Sequence, residues 1–258
     1  MLRNWVLIVA AVVALALAGV LLFRVEAPES ACVEQVFEAS RFTVCAFRSA
    51  EHETKLAWDD GQGRALRSFD ALAASGAVDP GRVRFAMNAG MFDAAGAPIG
   101  LFVAKAQERH PINRQSGTGN FYMQPNGVFF VDERNHNYLL PTPDFVSSGL
   151  LPMWATQSGP MLVIDGALNP SFDRDGPSKN IRNGVGLRSL ALSYFVISED
   201  PVSFGEFARF FRDVLKCENA LYLDGAVSSL WLPAARRRDD SYALGPMVVV
   251  SDKVRRPE

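Results

Sequence analysis

The sequence is poor in the residues that most often bind metals. It has three cysteines and three histidines in 258 residues, and neither type forms pairs at short intervals. Zinc sites are normally built from such pairs. We therefore predict no metal site from these residues, and no pattern in the sequence points to a cofactor.

An excess of basic charge is also missing. The chain has 26 Lys and Arg against 28 Asp and Glu, which gives a formal net charge of −2. Proteins that bind nucleic acids normally carry a basic surplus, because they neutralise phosphates. We therefore expect no nucleic-acid partner. Charged residues at 21% and aromatic residues at 10% exclude a disordered chain.

Long apolar runs are missing except at the N-terminus. Residues 5–23 form one unbroken apolar run after Arg3, and about 20 such residues can cross a bilayer. We assign residues 1–26 to a signal peptide or a signal anchor and favour the anchor, although small residues at 16–18 offer a cleavage site. The positive N-terminus predicts that residues 27–258 are exported. The expected location is periplasmic or otherwise extracytoplasmic, with the inner membrane as a partner.

An exported domain can contain a disulfide. Cys32 and Cys45 lie in segments predicted to be neighbouring strands, and Cys217 ends a helical pattern. The sequence leaves two alternatives open, a Cys32–Cys45 bridge or two free buried thiols.

Strand-like segments outnumber helical ones along the rest of the chain. The predicted strands are 33–38, 42–48, 54–58, 83–88, 128–132, 137–140, 161–164, 190–197, 220–223, 229–232 and 247–250. Ser68 is predicted to cap a short helix over 69–74, and Ser203 with Glu206 forms a capping box for a second helix. Residues 89–126 are predicted to be rich in loops. We predict a single α+β domain with mixed or antiparallel sheets and few helices.

Four short segments combine glycine with a polar side chain just after an apolar run. They are Asn88-Ala89-Gly90-Met91-Phe92, Gln157-Ser158-Gly159-Pro160, Arg182-Asn183-Gly184 and Asp224-Gly225-Ala226-Val227-Ser228-Ser229. Each segment alone is typical of an ordinary turn. Together they place amide, guanidinium and carboxylate groups at strand ends, where free backbone amides can hold a ligand.

In this order, the four segments resemble the phosphodiester glycosidase family over about residues 40–250. Within the family, the sequence looks closer to a bacterial exported subgroup with Asn-Ala-Gly-Met-Phe, often called exopolysaccharide-biosynthesis-like. It departs from the family's usual Asn-Gly-Gly and Asp-Gly-Gly-Gly-Ser at Ala89, Met91, Ala226 and Val227. The resemblance implies an exported hydrolase that cleaves a sugar-1-phosphodiester at the anomeric carbon, in an envelope or extracellular glycan.

The resemblance also implies roles for particular residues. Because phosphate is a good leaving group, the reaction has less need of a strong general acid than ordinary glycoside hydrolysis. We expect Arg182 to hold the phosphate through its planar fork, assisted by backbone amides around Gly184. Asp224 is the predicted base or nucleophile, while Asn88 and Gln157 bind sugar hydroxyls or orient water. The remaining predicted substrate-binding residues are Gly159, Asn183, Gly225, Ser228 and Asp93.

Some alternatives stay open. Asp93 is either a second catalytic group or a simple turn residue, and the run Arg236-Arg237-Arg238 is interpreted as a solvated patch. A serine hydrolase is disfavoured, because Ser228 lacks the Gly-x-Ser-x-Gly elbow. The alternative function is a non-catalytic glycan-binding or exopolysaccharide-assembly module of the same fold. It is suggested by side chains that stand where the family has glycine and could narrow a pocket.

Overall fold

The computed structural model describes residues 32–254. The predicted signal peptide or anchor, residues 1–26, therefore lies outside the described residues. Within residues 32–254, no helix is both long enough and apolar enough to cross a membrane.

Three sheets organise the described residues, with strands numbered here in chain order. The first contains, in spatial order, β1 (Cys32–Phe37), β2 (Ser40–Arg48), β13 (Leu192–Ser198), β12 (Asn183–Ser189), β14 (Asn219–Tyr222), β10 (Met161–Ile164) and β11 (Ala167–Leu168). The second contains β16 (Arg237–Arg238), β15 (Leu230–Leu232), β4 (Val83–Asn88), β17 (Met247–Asp252) and β3 (His52–Ala57). The third contains β6 (Gln107–His110), β5 (Phe102–Ala104), β9 (Trp154–Ser158), β7 (Gly127–Val131) and β8 (Asn137–Pro141).

Helices are few and short in this part of the chain. They are α1 (Phe69–Ala74), α2 (Thr142–Ser148) and α3 (Phe204–Arg209), and a π-helical turn, Phe210–Val214, continues α3. Both predicted caps are confirmed: the Ser68 hydroxyl accepts a hydrogen bond from the Ala71 amide, and the Ser203 hydroxyl accepts one from the Glu206 amide. The predominance of sheet with few helices fits the predicted α+β class.

The paired strands of these sheets are all antiparallel, so the sheets are not mixed. The expectation of mixed pairing came from the helical crossover that α3 makes between β13 and β14. These two strands do run in the same direction. They do not pair with each other, however, because β12 lies between them and is antiparallel to both.

Two predicted loop regions contain strands instead. Strands β5 and β6 lie within residues 89–126, and β12 begins at Asn183 where a glycine-rich turn was expected. Because glycine has a low strand propensity, Gly184 and Gly186 argue against a strand in the sequence. In the structure, both glycines are needed for close packing. A Cβ on Gly184 would lie 2.8 Å from the Leu221 backbone oxygen, and one on Gly186 would lie 2.7 Å from the Cys217 sulfur.

The main core joins all three sheets through aromatic side chains. The ring of Phe195 in the first sheet lies 5.4 Å from that of Phe85 in the second and 5.6 Å from that of Phe129 in the third. A second cluster covers the other face of the first sheet, where Phe42 stacks on Phe210 at 4.1 Å. The first sheet is therefore buried on both faces.

Cys32 and Cys45 form a disulfide between directly opposed positions of β1 and β2. This decides between the two alternatives that the sequence left open. Cys217 is a free, buried thiol, and burial raises its pKa to about 12.

Candidate functional site

Two buried asparagines from different sheets form the centre of the candidate site. Asn88 is the last residue of β4, and Asn183 is the first residue of β12. The side-chain nitrogen of Asn183 donates to the backbone oxygen of Asn88 at 2.9 Å and to its Oδ1 at 3.0 Å. The same Oδ1 accepts from the Ser229 amide at 2.9 Å. This asparagine pair therefore joins the first sheet to the second.

Asp224 follows β14 and is fixed to the asparagine pair through its backbone. Its carbonyl oxygen accepts from Asn88 Nδ2 at 2.7 Å, and its amide donates to the Ala89 oxygen at 3.2 Å. The Asp224 carboxylate accepts from the Ala226 amide at 3.2 Å. Burial raises the pKa of Asp224 above its ordinary value, although the Ala226 hydrogen bond opposes this. A partly buried carboxylate with a raised pKa is suited to accept a proton.

Ser228 anchors the loop of residues 224–229 onto the start of β12. Its hydroxyl lies 3.2 Å from the Ile181 oxygen, 3.3 Å from the Gly225 oxygen and 3.4 Å from Asn183 Oδ1. Ser228 also borders a cleft of about 360 Å³, on whose lining Arg237 and Tyr242 lie as well. The loop that carries Asp224 therefore lies beside an open polar cleft.

Arg237 is one of the charged groups of this cleft. Its guanidinium contacts Glu199 at 2.5 Å and Asp239 at 2.9 Å. Burial disfavours its charge, but the hydrogen bonds to Asp239 and Glu199 outweigh burial and raise the pKa of Arg237. Arg237 therefore stays charged between two carboxylates.

Arg182 is almost completely buried behind the site. Its Nε donates to the Val202 oxygen at 2.9 Å, and a terminal nitrogen donates to the Ser178 oxygen at 2.9 Å. The guanidinium carbon lies 3.7 Å from the centre of the Phe204 ring and 5.4 Å from that of Tyr222. Burial lowers the pKa of Arg182. The predicted phosphate contact stays a prediction, since this arrangement directs the guanidinium toward carbonyls and rings.

Tyr222 connects Arg182 to the Asp224 loop. A Cβ on Gly225 would collide with the Tyr222 hydroxyl, so the backbone of this loop rests directly on the tyrosine. Burial raises the pKa of Tyr222, while Arg182 opposes that shift. Gly225 and Gly184, both predicted substrate-binding residues, thus also serve close packing here.

Gln157, at the end of β9, uses its whole side-chain amide within the fold. Its Oε1 accepts from the amides of Leu101 at 3.0 Å and Asn113 at 2.9 Å. Its Nε2 donates to the Asn113 oxygen at 2.7 Å and to the Thr142 hydroxyl at 3.2 Å. An amide has two acceptor and two donor positions, so all four are occupied. The predicted contact with a sugar stays a prediction that requires one of these bonds to open.

Gly159 and Asp93 lie outside the asparagine pair and the Asp224 loop. A Cβ on Gly159 would lie 2.6 Å from the Asn126 Cβ, so this glycine permits a close packing contact. Asp93 is exposed, and its carboxylate accepts from the Ala97 amide at 2.9 Å. Asp93 therefore makes a turn contact, and its catalytic or substrate-binding role stays a prediction.

Comparison with known proteins decides the family. The model of a family described as phosphodiester glycosidase matches residues 81–250. The chain belongs to the phosphodiester glycosidase family. It is also 31% identical over 239 residues to the uncharacterized protein YigE of Escherichia coli (strain K12), covering 93% of this chain and 92% of YigE.

Solved structures share the fold of this family member. The catalytic domain of zebrafish N-acetylglucosamine-1-phosphodiester alpha-N-acetylglucosaminidase, auto-inhibited by its pro-peptide, matches with a TM-score of 0.58 and 12% identity, over 86% of this chain and 82% of that one. A hypothetical protein from Synechocystis matches at 0.55 and 15% identity, over 86% and 61%. An export candidate from Burkholderia pseudomallei K96243 matches at 0.52 and 10% identity, over 82% and 74%.

Some residues of the candidate site carry little signal in the sequence. Tyr222 lies inside an apolar strand, where an aromatic residue is expected for packing alone. Thr156 accepts from the Gly90 amide at 3.2 Å and so holds the loop after Asn88, yet it precedes the glycine-containing segment. Arg237 was interpreted as part of a solvated patch, because a run of arginines is usually exposed. Its partner Glu199, which the fold brings from 38 residues away, distinguishes it.

Proposed function

We propose that this family member hydrolyses a sugar-1-phosphodiester at the anomeric carbon. The observation that carries the proposal is the position of Asp224. Its carboxylate is partly buried, has a raised pKa, and stands on a loop fixed to the Asn88–Asn183 pair. A glycosidase that cleaves this bond needs one such carboxylate beside the anomeric carbon.

The reaction breaks the bond between the anomeric carbon and the phosphate oxygen, and water supplies the new hydroxyl. With Asp224 as base, its carboxylate takes a proton from the attacking water while the phosphomonoester leaves with the bonding electrons. With Asp224 as nucleophile, its carboxylate oxygen bonds to the anomeric carbon as the phosphomonoester leaves. In a second step water attacks the same carbon, the carboxylate leaves, and the water's proton passes to solvent. Both routes need an ionised Asp224.

The other predicted residues serve this carboxylate in different ways. The asparagine pair and Ser228 fix the loop, so we propose them as groups that set the position of Asp224. Arg182 acts through Tyr222, on which the loop rests at Gly225. The polar cleft beside Ser228, lined in part by Arg237, is the proposed place for the phosphate side of the substrate.

We also propose that the domain acts outside the cytoplasm, on an envelope or extracellular glycan, with an N-terminal anchor in the inner membrane. The Cys32–Cys45 disulfide supports this location, because such bonds persist mainly in oxidising compartments. The apolar run of residues 5–23 and the likeness to an export candidate support it as well.

The proposal is tested by measuring sugar release from a panel of sugar-1-phosphodiesters that includes a nucleotide sugar. We expect Asp224→Asn to lower kcat/KM by roughly 10²–10⁴-fold, the usual contribution of a positioned base. Asp165→Asn is the matched control, because Asp165 is likewise followed by glycine in a turn after a strand. Its activity should stay within about twofold of wild type. Equal activity in the two variants would contradict the assignment of Asp224.

The glycan-binding module is the alternative outcome of the same test. It was suggested by side chains at Ala89, Ala226 and Val227, but none of them belongs to the lining of the polar cleft. Ala89 is buried in the main core, and Ala226 is exposed. Binding of the panel sugars without release, by protein shown to be folded, would favour the module.

A further inference from the structure

A second cleft, of about 370 Å³, lies between strand β3 of the second sheet and strands β5, β6 and β9 of the third. We call it the tryptophan cleft and define it by Lys55, Trp58, Asp59, Gln107, Arg109 and Trp154, which belong to its lining. We propose that it binds an uncharged pyranose ring of a glycan chain that extends beyond the sugar being cleaved. This inference rests on the proposed function for its expectation that the substrate is a glycan.

Two half-buried indole rings supply the apolar surface of the cleft. Trp58 is held in place from behind by the buried ring of Phe102, edge to face at 5.9 Å. Its Nε1 donates to the Gly96 oxygen at 2.7 Å, which fixes the plane of the ring. Trp154 faces the same cleft from β9. Flat indole faces held in fixed positions suit the C–H faces of a pyranose ring, since little side-chain freedom is lost on binding.

Four of the five charged side chains on the cleft lining are paired, and the exception among the described ion pairs is Lys105. Arg109 contacts Asp59 at 2.6 Å, and Asp59 also accepts from the Gly63 amide at 2.9 Å. Lys55 lies 3.2 Å from Glu53. Arg109 has five N–H donors, of which the Asp59 contact uses one. A surface on which most charges are paired and spare donors remain favours hydroxyl groups over an anionic polymer.

The fold places the tryptophan cleft near the candidate catalytic site. Ala57 at the end of β3 pairs with Met247 of β17, which pairs with Asn88 of β4. Ala57 and Asn88 are therefore at the same level of the sheet, two strand spacings or about 10 Å apart. Residues 89–98 follow Asn88 directly and supply Gly96, the acceptor for Trp58. A glycan at the catalytic site can therefore reach the cleft within a few sugar units.

The experiment measures binding separately from turnover. Full-length Asp224→Asn protein is titrated with neutral tetrasaccharides of glucose, N-acetylglucosamine and mannose, and binding is followed by calorimetry and tryptophan fluorescence. We expect at least one to bind, and Trp154→Ala to weaken its affinity at least tenfold. Trp154→Phe should recover part of the loss if it comes from stacking rather than misfolding. Trp231→Phe is the control, since Trp231 is buried away from the cleft against Arg238.

Several results would overturn the proposal. These are binding of no tetrasaccharide in the panel, unchanged affinity in Trp154→Ala, or equal weakening by Trp231→Phe. Tighter binding of a uronic-acid tetrasaccharide than of the neutral ones would also contradict it, because the site is assigned to an uncharged ring. If binding depends on Trp154 but the wild-type protein has no hydrolytic activity, only the proposed reaction is refuted. If the wild-type protein hydrolyses a sugar-1-phosphodiester but no binding depends on Trp154, only the cleft assignment is refuted.

Discussion

Replacing Asn183 by Asp tests whether the asparagine pair holds the candidate site together. The two side chains have almost the same shape, so the change alters hydrogen bonding and charge rather than volume. In Asn183→Asp, an oxygen replaces the nitrogen that lies 2.9 Å and 3.0 Å from two acceptors of Asn88. Both donated bonds are lost, and the new carboxylate is fully buried.

The magnitude follows from these contacts. Each buried acceptor left without a donor costs about 1–3 kcal/mol in the free energy of unfolding. The Asn88 backbone oxygen loses its Asn183 donor, whereas Oδ1 keeps the Ser229 amide, so the lost bonds alone should cost about 1–3 kcal/mol. Asn183→Ala loses the same donors without adding a charge and should be less destabilised than Asn183→Asp at pH 7. Burial among acceptors raises the pKa of the introduced acid. The stability of Asn183→Asp is therefore lost as pH rises and partly regained at pH 4, where the protonated acid can donate one bond.

Urea unfolding followed by tryptophan fluorescence at pH 7 and pH 4 measures both effects. Asn180→Asp is the matched control, because Asn180 is exposed and its side chain donates only to the Ser178 hydroxyl among the described contacts. It should change stability by less than about 0.5 kcal/mol. If Asn183→Asp is as stable as Asn180→Asp at pH 7, the pair does not hold the two sheets and the reasoning fails.

Four further predictions come from other contacts. The kcat/KM of the wild type should rise with pH through a pKa above 3.8, since burial raises the pKa of Asp224 and the base must be ionised. For the same reason Asp224→Asn should unfold at no lower temperature than wild type at pH 7, because ionising a group whose folded-state pKa is raised lowers stability as pH increases. Gly184→Ala should cost about 1–3 kcal/mol in thermal unfolding, because its Cβ would lie 2.8 Å from the Leu221 oxygen. Reducing the Cys32–Cys45 bond, whose residues are 13 apart, should cost about 3 kcal/mol in urea unfolding.

Each of these has a result that would contradict it. If kcat/KM rises with the pKa of an exposed aspartate, or if Asp224→Asn unfolds at a lower temperature than wild type at pH 7, burial does not raise the pKa of Asp224 as stated. Wild-type stability in Gly184→Ala would mean that β12 and β14 can separate without cost. An unchanged urea midpoint after reduction would show that the Cys32–Cys45 disulfide restricts the unfolded chain very little.

The sequence predicted the elements whose signals are local. The helix over 69–74 and the strands at 83–88 and 161–164 have the predicted bounds, because caps, glycines and apolar runs mark their ends. Strand β12 was missed because Gly184 and Gly186 have low strand propensity, and their reason for being there is close packing against β14 and the π-helical turn after α3. That packing depends on the tertiary structure, so no local sequence pattern indicates it.

The candidate site shows the same division. Its four segments were found by their glycines and polar residues, and the structure brings Asn88, Asn183, Asp224 and Ser228 into one hydrogen-bonded group. The sequence could not show that all hydrogen-bonding positions of the Gln157 side-chain amide are occupied by groups of the protein itself. Nor could it show that Arg182 is buried behind Tyr222. Both facts depend on which distant segments the fold places beside each side chain.

The asparagine pair also determines when during folding the site can exist. Asn88 bonds to residues 95 and 136 positions further along the chain, from a different sheet. Contacts between such distant segments form late, because closing the long loop costs conformational entropy before the contacts contribute any favourable free energy. A chain that has formed either sheet alone therefore has no positioned carboxylate. Any activity that returns during refolding would therefore report the docking of the two sheets. A partly synthesised chain would have no activity.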